Sequence, residues 1–207
     1  GKRAGSVKLH DRLDRGRERS QPVERFGEIS GMIETAENLA TEYKISREEA
    51  DEYAMRSQKR AAAAWQNNVF AEEVISIAVP QRRGNDTVFD KDEGVRPDVS
   101  MEKLGQLRTI MKDGTVTAGN ASQQNDAAAA CLVVAEDMLI NLKLDPIGYV
   151  SGWSAVGCHP ATMGIGPVGA VEKLFAKTEL SLDDMDLVEI NEAFAAQVLS
   201  VTRALEL

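Results

Sequence analysis

Asn191-Glu192-Ala193-Phe194-Ala195-Ala196-Gln197 puts an amide and a carboxylate directly after an apolar run, Leu187-Val188-Glu189-Ile190. A polar pair between a strand and an Ala-rich helix lies where α/β proteins hold ligands. Asn191 is placed there to orient a water or an oxyanion. Two other stretches have the same character. TAGNASQQND (Thr117–Asp126) combines Gly119 and Ala121, which let a ligand approach the backbone, with the polar groups of Asn120, Ser122, Asn125 and Asp126. GCHPATMGIGP (Gly157–Pro167) is a loop fixed by Gly and Pro, in which Met163 offers a soft apolar surface. Each stretch also has a plain reading. Polar residues at a strand end cap the next helix, and a methionine fills a core.

The elements that must position these groups follow from periodicity and punctuation. Residues 1–30 are polar and aperiodic, a loop with short helical pieces. Thr35–Lys44 is predicted helical. Ser46-Arg47-Glu48-Glu49 reads as a capping box. It opens a helix to about Asn67 in which Ala50, Tyr53, Ala54, Ser57, Ala61 and Ala64 form one small-residue face. Glu73–Gln81 is predicted as a strand ended by Pro80, residues 85–97 as a charged loop, Ser100–Leu107 as a short helix, and Gly114–Ser122 as a strand or extended loop. Beyond residue 122 strands alternate with helices. A strand runs into a helix over Asp126–Asp137, and Gly148–Gly157 is a strand. Gly166–Lys177 is a helix with Pro167 in its first turn. Asp186–Ile190 is a strand, and Glu192–Leu205 a helix. Such alternation means a layered α/β architecture.

Composition narrows the class. The 207 residues are 43 % apolar, enough for one core and at most two small domains. No apolar run approaches the ~20 residues of a membrane span, and no secretory signal opens the chain. Two cysteines make no disulfide framework. A reducing, cytoplasmic setting without a membrane partner is the expectation. The net charge of −9 is uneven. Residues 1–25 carry Lys2, Arg3, Lys8, Arg12, Arg15, Arg17, Arg19 and Arg25 against four acids. That basic head could meet a phosphorylated ligand or pair with its own acidic body. No nucleic acid is expected, because Phe26 is the one nearby aromatic and no binding motif surrounds it. The first residue is Gly and no cap follows the last helix, so both ends look cut.

GTVTAGNAS, then a P-x-x-M-G-x-G-P stretch, then DLVEINEAFAAQ, in this order, closely resemble the thiolases: the acetyl-CoA acetyltransferases and related 3-ketoacyl-CoA thiolases. Met32–Ala61 resembles the thiolase loop domain, which covers the active site and holds coenzyme A. The resemblance runs from about residue 5 to about residue 203. It implies an α/β protein with a partial, thiolase-like layered fold. A mainly helical loop domain would occupy residues 1–122, the end of the N-terminal α/β domain 123–146, and the first half of the C-terminal α/β domain 147–207. The implied chemistry is acyl-CoA C-acyl transfer, a Claisen condensation or thiolytic cleavage of a 3-ketoacyl-CoA through an acyl-cysteine. A second cysteine and a histidine move the proton. Asn191 matches the asparagine that holds an oxyanion water, and Ala193 and Phe194 match residues lining that pocket. Met163 matches a pocket-lining methionine, and Met32 one near the thioester end of the ligand. Ser122 matches the serine that contacts the pantetheine arm. Arg96 matches a basic residue near the phosphate-bearing nucleotide end. Coenzyme A thioester is then the substrate, with no covalently bound cofactor and no metal. The family is usually dimeric or tetrameric, so a homo-oligomer or complementing thiolase segments are the expected partners.

The departures from the family pattern carry as much weight. The nucleophilic cysteine of the family lies upstream of the loop domain in a C-x-S/T-G type stretch, and no such stretch occurs in these residues. The catalytic histidine and second cysteine lie downstream of N-E-A-F. The expectation is therefore an internal fragment lacking both ends, inactive by itself. His159-Pro160 resembles the catalytic His-Pro but continues as Ala161-Thr162-Met163-Gly164, a different loop, and Cys158 beside it is not the nucleophile by context. Cys131, inside an apolar run, is expected in the core. Gly31 stands where the family often has histidine, and Met111 where many members have phenylalanine. GNASQQND replaces a more glycine-rich run. Gly31 hints at an altered acyl preference, and the other two departures point outside the best-known biosynthetic branch. The alternative is a non-catalytic CoA-binding or split thiolase-like protein acting with a partner. A sheet without its partner strands is expected to expose an apolar face.

Overall fold

A computed structural model describes residues 12–27 and 30–207. Lys2, Arg3 and Lys8 of the basic head, and the start of the resemblance, lie outside the described residues. Two short helices, α1 (Arg12–Ser20) and α2 (Val23–Phe26), match the expected helical pieces. α2 stops at Gly27, whose φ of 73° favours glycine.

The first long elements follow local signals closely. α3 (Met32–Glu42) begins one turn earlier than the predicted Thr35, with Gly31 at its N-cap. Lys44 then takes a left-handed backbone (φ 53°), and the Ile45 N–H returns to the Ala40 carbonyl at 2.8 Å. The capping box forms as predicted. The Glu49 N–H donates to Ser46 Oγ (3.1 Å) and the Ser46 N–H to Glu49 Oε2 (2.9 Å). It opens α4 (Arg47–Gln66). α5 (Met101–Gly105) is capped by Ser100, which accepts from the Lys103 N–H at 3.2 Å.

The strand expectations fare differently. The predicted strand at 73–81 shrinks to β1 (Ile77–Val79), and the predicted charged loop contains β2 (Thr87–Phe89). The two pair antiparallel, Ile77 opposite Phe89 and Val79 opposite Thr87, in a hairpin whose residues are all exposed. The strands predicted within 126–137, at 148–157 and at 186–190 are absent; these stretches run without a ladder. A strand needs a neighbour to take its N–H and C=O groups, and among the described residues none lies beside them. Their apolar side chains therefore face water, as Leu132, Val150 and Trp153 do. Cys131 belongs to the same stretch and is exposed rather than in the core. Three helices punctuate or follow this region: α6 (Leu139–Leu142), α7 (Gly166–Thr178, with Pro in its first turn) and α8 (Ala195–Ala204), which begins one turn later than Glu192.

The core lies where α3, α4 and α8 meet. Ala40, Ile45, Ala50, Ala195 and Ala196 form its small-residue centre, flanked by Tyr43, Tyr53 and Leu199. Alanines at the crossing let the helices approach closely. Leu39 and Val201 are fully buried beside them, each contributing about 2 kcal/mol of apolar burial.

Candidate functional site

α4 supplies one wall of a cleft of about 680 Å³ through Tyr53, Ser57 and Gln58. The opposite wall is the 118–123 stretch, and the loop around Arg96 closes the rim. These parts are fastened by one buried network. Asp51, 2 % exposed, accepts from Arg47 Nε at 2.6 Å and from Asn120 Nδ2 at 2.8 Å. Asn120 Nδ2 also donates to the Thr115 carbonyl, and Asn120 Oδ1 accepts the Thr117 N–H at 2.8 Å. Arg47 reaches on to the carbonyls of Leu104 (2.6 Å) and Leu107 (3.1 Å). A buried carboxylate is tolerable only when its lone pairs are filled in this way. The result joins α4, α5 and the 115–120 turn into one base for the cleft. Gly119 sits at this junction, where a Cβ would meet Leu104 and Leu107 side chains at 2.5 Å.

Ser122 and Arg96 are brought together as lining of this cleft. The Arg96 N–H donates to Gln58 Oε1 at 2.8 Å, which ties the basic loop to α4. Lys103 lies on the same wall and pairs with Asp98 at 2.5 Å. That hydrogen bond holds the exposed Asp98 carboxyl below its ordinary value.

The Asn191–Phe194 segment meets the cleft wall edge to edge. The Ser122 N–H donates to the Ala193 carbonyl at 2.9 Å, Ala121 pairs with Phe194, and the Ala195 N–H donates to the Asn120 carbonyl at 2.9 Å. Ser122, Ala193 and Phe194 are thus neighbours in space. Asn191 faces elsewhere, lining a second cleft with Tyr53, Arg56 and Val188. Glu192 and Tyr53 line both clefts. Glu192 Oε1 accepts the Tyr53 hydroxyl at 2.7 Å and Oε2 the Ser57 hydroxyl at 2.6 Å. Burial first, and then the Glu192 carboxylate, pushes the Tyr53 phenol up to about 12.

Met163 and Met32 line neither of these two clefts; they lie where α3 meets the 3₁₀ turn Pro160–Ile165. Asn38 Nδ2 donates to the Ala161 carbonyl at 2.8 Å, and Gln197 Nε2 to the Gly164 carbonyl at 3.1 Å. A Cβ at Gly164 would meet Gln197 Cγ at 2.7 Å and Leu39 Cδ1 at 2.9 Å, so glycine alone lets the Met163 loop close on α3 and α8. Met163 is 44 % exposed and Met32 37 %, so neither is a core methionine. His159 packs edge-on against Phe26, with ring centroids 5.9 Å apart. The residues that sequence reasoning left without a role are Asp51, Tyr53, Ser57 and Glu192. Tyr53 and Ser57 were visible as the two hydroxyls, four apart, on an otherwise alanine face of α4; Asp51 gave no such signal.

The elements form part of an α/β fold, and comparison with known proteins places it. Residues 20–137 match the thiolase N-terminal domain and residues 144–207 the thiolase C-terminal domain. The chain belongs to the thiolase family. A Staphylococcus aureus (strain COL) protein named probable acetyl-CoA acyltransferase is 52 % identical over 174 residues, which is 84 % of this chain and 44 % of that relative. The crystal structure of the Bacillus anthracis acetyl-CoA acetyltransferase superposes with a TM-score of 0.87 at 41 % identity, covering 100 % of this chain and 51 % of that one. Human mitochondrial 3-ketoacyl-CoA thiolase in complex with CoA superposes at 0.80 and 39 % identity, covering 100 % of this chain and 50 % of that one. The chain therefore spans about half the length of the relatives it matches.

Proposed function

We propose that this chain carries the coenzyme A cleft and the oxyanion side of an acyl-CoA C-acyltransferase. The reaction is Claisen condensation or thiolytic cleavage of a 3-ketoacyl-CoA, in the manner of fatty-acid metabolism. In cleavage, a cysteine thiolate from a segment outside these 207 residues attacks the ketone carbonyl. The C–C bond breaks, its electron pair leaves with the acetyl-CoA carbon and takes a proton there, and the acyl group passes from cysteine to the thiol of a second coenzyme A. Asn191 holds the water that stabilises the oxyanion. Ser122 receives the pantetheine arm and Arg96 the phosphates. Met32, Met163, Ala193 and Phe194 line the acyl end. The observation that carries this reading is the meeting of Ser122 and Arg96 in one large cleft whose wall is bonded directly to Ala193. A cytoplasmic dimer or tetramer is the proposed working form.

Calorimetric titration with coenzyme A tests it. The chain is expected to bind, and Arg96→Ala and Ser122→Ala to weaken binding by about 5- to 30-fold each, one to two kcal/mol for a charge-assisted or polar contact. Unchanged affinity in both variants would sink the assignment of the cleft. The chain by itself is expected to show no thiolysis of acetoacetyl-CoA, and turnover by the 207-residue polypeptide would refute the outside cysteine. A second reading, a CoA-binding piece that works only with a partner, is favoured by the exposed Leu132, Val133, Ile147, Trp153 and Leu187. Such apolar surface calls for a cover.

A further inference from the structure

We propose that Glu192 is the positioning residue of the site, its carboxylate clamped by Tyr53 and Ser57 of α4 so that the Asn191–Phe194 segment keeps a fixed place between the two clefts. The inference rests on the reading above for what Asn191 does, but the clamp itself stands on geometry. Glu192 spends both oxygens on hydroxyls of one helix, Tyr53 at 2.7 Å and Ser57 at 2.6 Å. These are short bonds to a charged acceptor, about twice as strong as neutral ones. Tyr53 and Ser57 are one turn apart on α4, so their hydroxyls approach from the same side.

The helix that grips is itself immobilised. Asp51 ties it to Asn120, and Arg203 Nη2 of α8 pairs with Glu49 at 2.5 Å. Ala50 and Ala54 bury against the core. The gripped segment has neighbours to transmit to. One residue before Glu192 is Asn191 in the second cleft, and one residue after is Ala193, whose carbonyl takes the Ser122 N–H. A backbone fixed at Glu192 therefore sets the amide of Asn191 and the cleft wall at Ser122 together. Without the clamp, Asn191 would be held from one side alone, by the backbone bonds that begin at Ala193, because the 186–190 stretch before it has no ladder.

The test is the ¹⁵N spectrum of the full 207-residue chain labelled at asparagine and serine. The Asn191 side-chain amide is assigned by its loss in Asn191→Asp and the Ser122 backbone amide by its loss in Ser122→Ala. Glu192→Ala is expected to displace both signals and to collapse the two Asn191 amide protons toward the averaged position of a free side chain. Glu192→Gln is expected to leave both close to their wild-type positions, because rotated hydroxyls still bond an amide. Unmoved signals in Glu192→Ala would overturn the clamp. Equal displacement in Glu192→Gln would overturn positioning by hydrogen bonds and leave the charge as the agent. Unlabelled coenzyme A is then added to the wild type. Absence of ligand shifts at Ser122 would count against the functional reading alone, since the clamp is read in the free protein.

Discussion

Residues 32–67 and 100–122 together with α8, on one side, and residues 123–190, on the other, meet water in opposite ways. The first region closes on itself: α3, α4 and α8 share an alanine-rich core, and Asp51, Asn120 and Glu37 fill their hydrogen bonds across long sequence distances. Glu37 accepts the N–H groups of Thr115 and Val116, anchoring the 115–120 turn to α3. The second region holds comparable apolar residues but exposes them; Leu187 is 84 % exposed where Leu39 is 0 %. Hydrophobic content is therefore not what separates them. Helices satisfy their own backbone and need only one packing partner, whereas a strand needs a neighbour for every second backbone group. The site is built where the first region grips the residues that directly follow the second, Asn191 to Phe194.

The largest test of this contrast is the buried carboxylate. Asp51→Ala leaves Arg47 and Asn120 without their acceptor and is expected to cost about 3–5 kcal/mol, measured by urea unfolding. It should also loosen the cleft wall at Ser122. A loss below about 1 kcal/mol would mean the network is ornamental, as an exposed pair is.

A paired substitution sharpens the comparison. Leu39→Ala is expected to cost about 3 kcal/mol, transfer plus cavity. Leu187→Ala, the same chemical change on an exposed side chain, should stay within about 0.5 kcal/mol. Similar losses at the two sites would show that the 186–190 stretch is packed in solution, by self-association or by a partner.

Much of the first region was legible in the sequence because its signals are local. The Ser46–Glu49 box occupies four consecutive residues, and the small-residue face of α4 repeats at helical spacing over about four turns. Ser122, Ala193 and Phe194 were legible through motif order, and they prove to be neighbours. The Asp51–Asn120 bond spans 69 residues and the Tyr53–Glu192 bond 139, and no local pattern announces either. The three residues of β2 were hidden in a charged loop, although Thr87-Val88-Phe89 is good strand chemistry. The predicted strands at 148–157 and 186–190 had the right residues but lacked the neighbour that would make them strands.

A smaller effect sits at the entrance to α4. Ser46→Ala removes the cap and is expected to lower stability by about 1 kcal/mol. The backbone hydrogen bond from Ser46, followed by the Arg203 pairing, holds the Glu49 carboxyl below its ordinary 4.5. A depressed carboxyl stabilises the fold above its unfolded value, and that contribution is lost as pH falls through the folded one. Thermal melting between pH 6 and 3 should therefore flatten in Glu49→Gln relative to the wild type. Parallel curves would assign the acid sensitivity elsewhere.

The smallest expected effect bears most directly on the seam between the regions. Tyr53 joins α4 to Glu192, and its phenol is pushed up to about 12 by burial first and the carboxylate second. A raised acid binds its proton more tightly in the folded state. The stabilisation is therefore whole below the ordinary value of 10 and is lost as pH rises from there through about 12. Alkaline difference absorbance between the wild type and Tyr53→Phe isolates this one phenol. Glu192→Gln should bring its transition down only part of the way toward 10, because burial remains when the charge is gone. A complete return would make the carboxylate the whole cause and the seam open to water. No change at all would separate Tyr53 from Glu192 and leave the Ser57 hydroxyl and the backbone bonds at Asn120 and Ser122 to hold this seam.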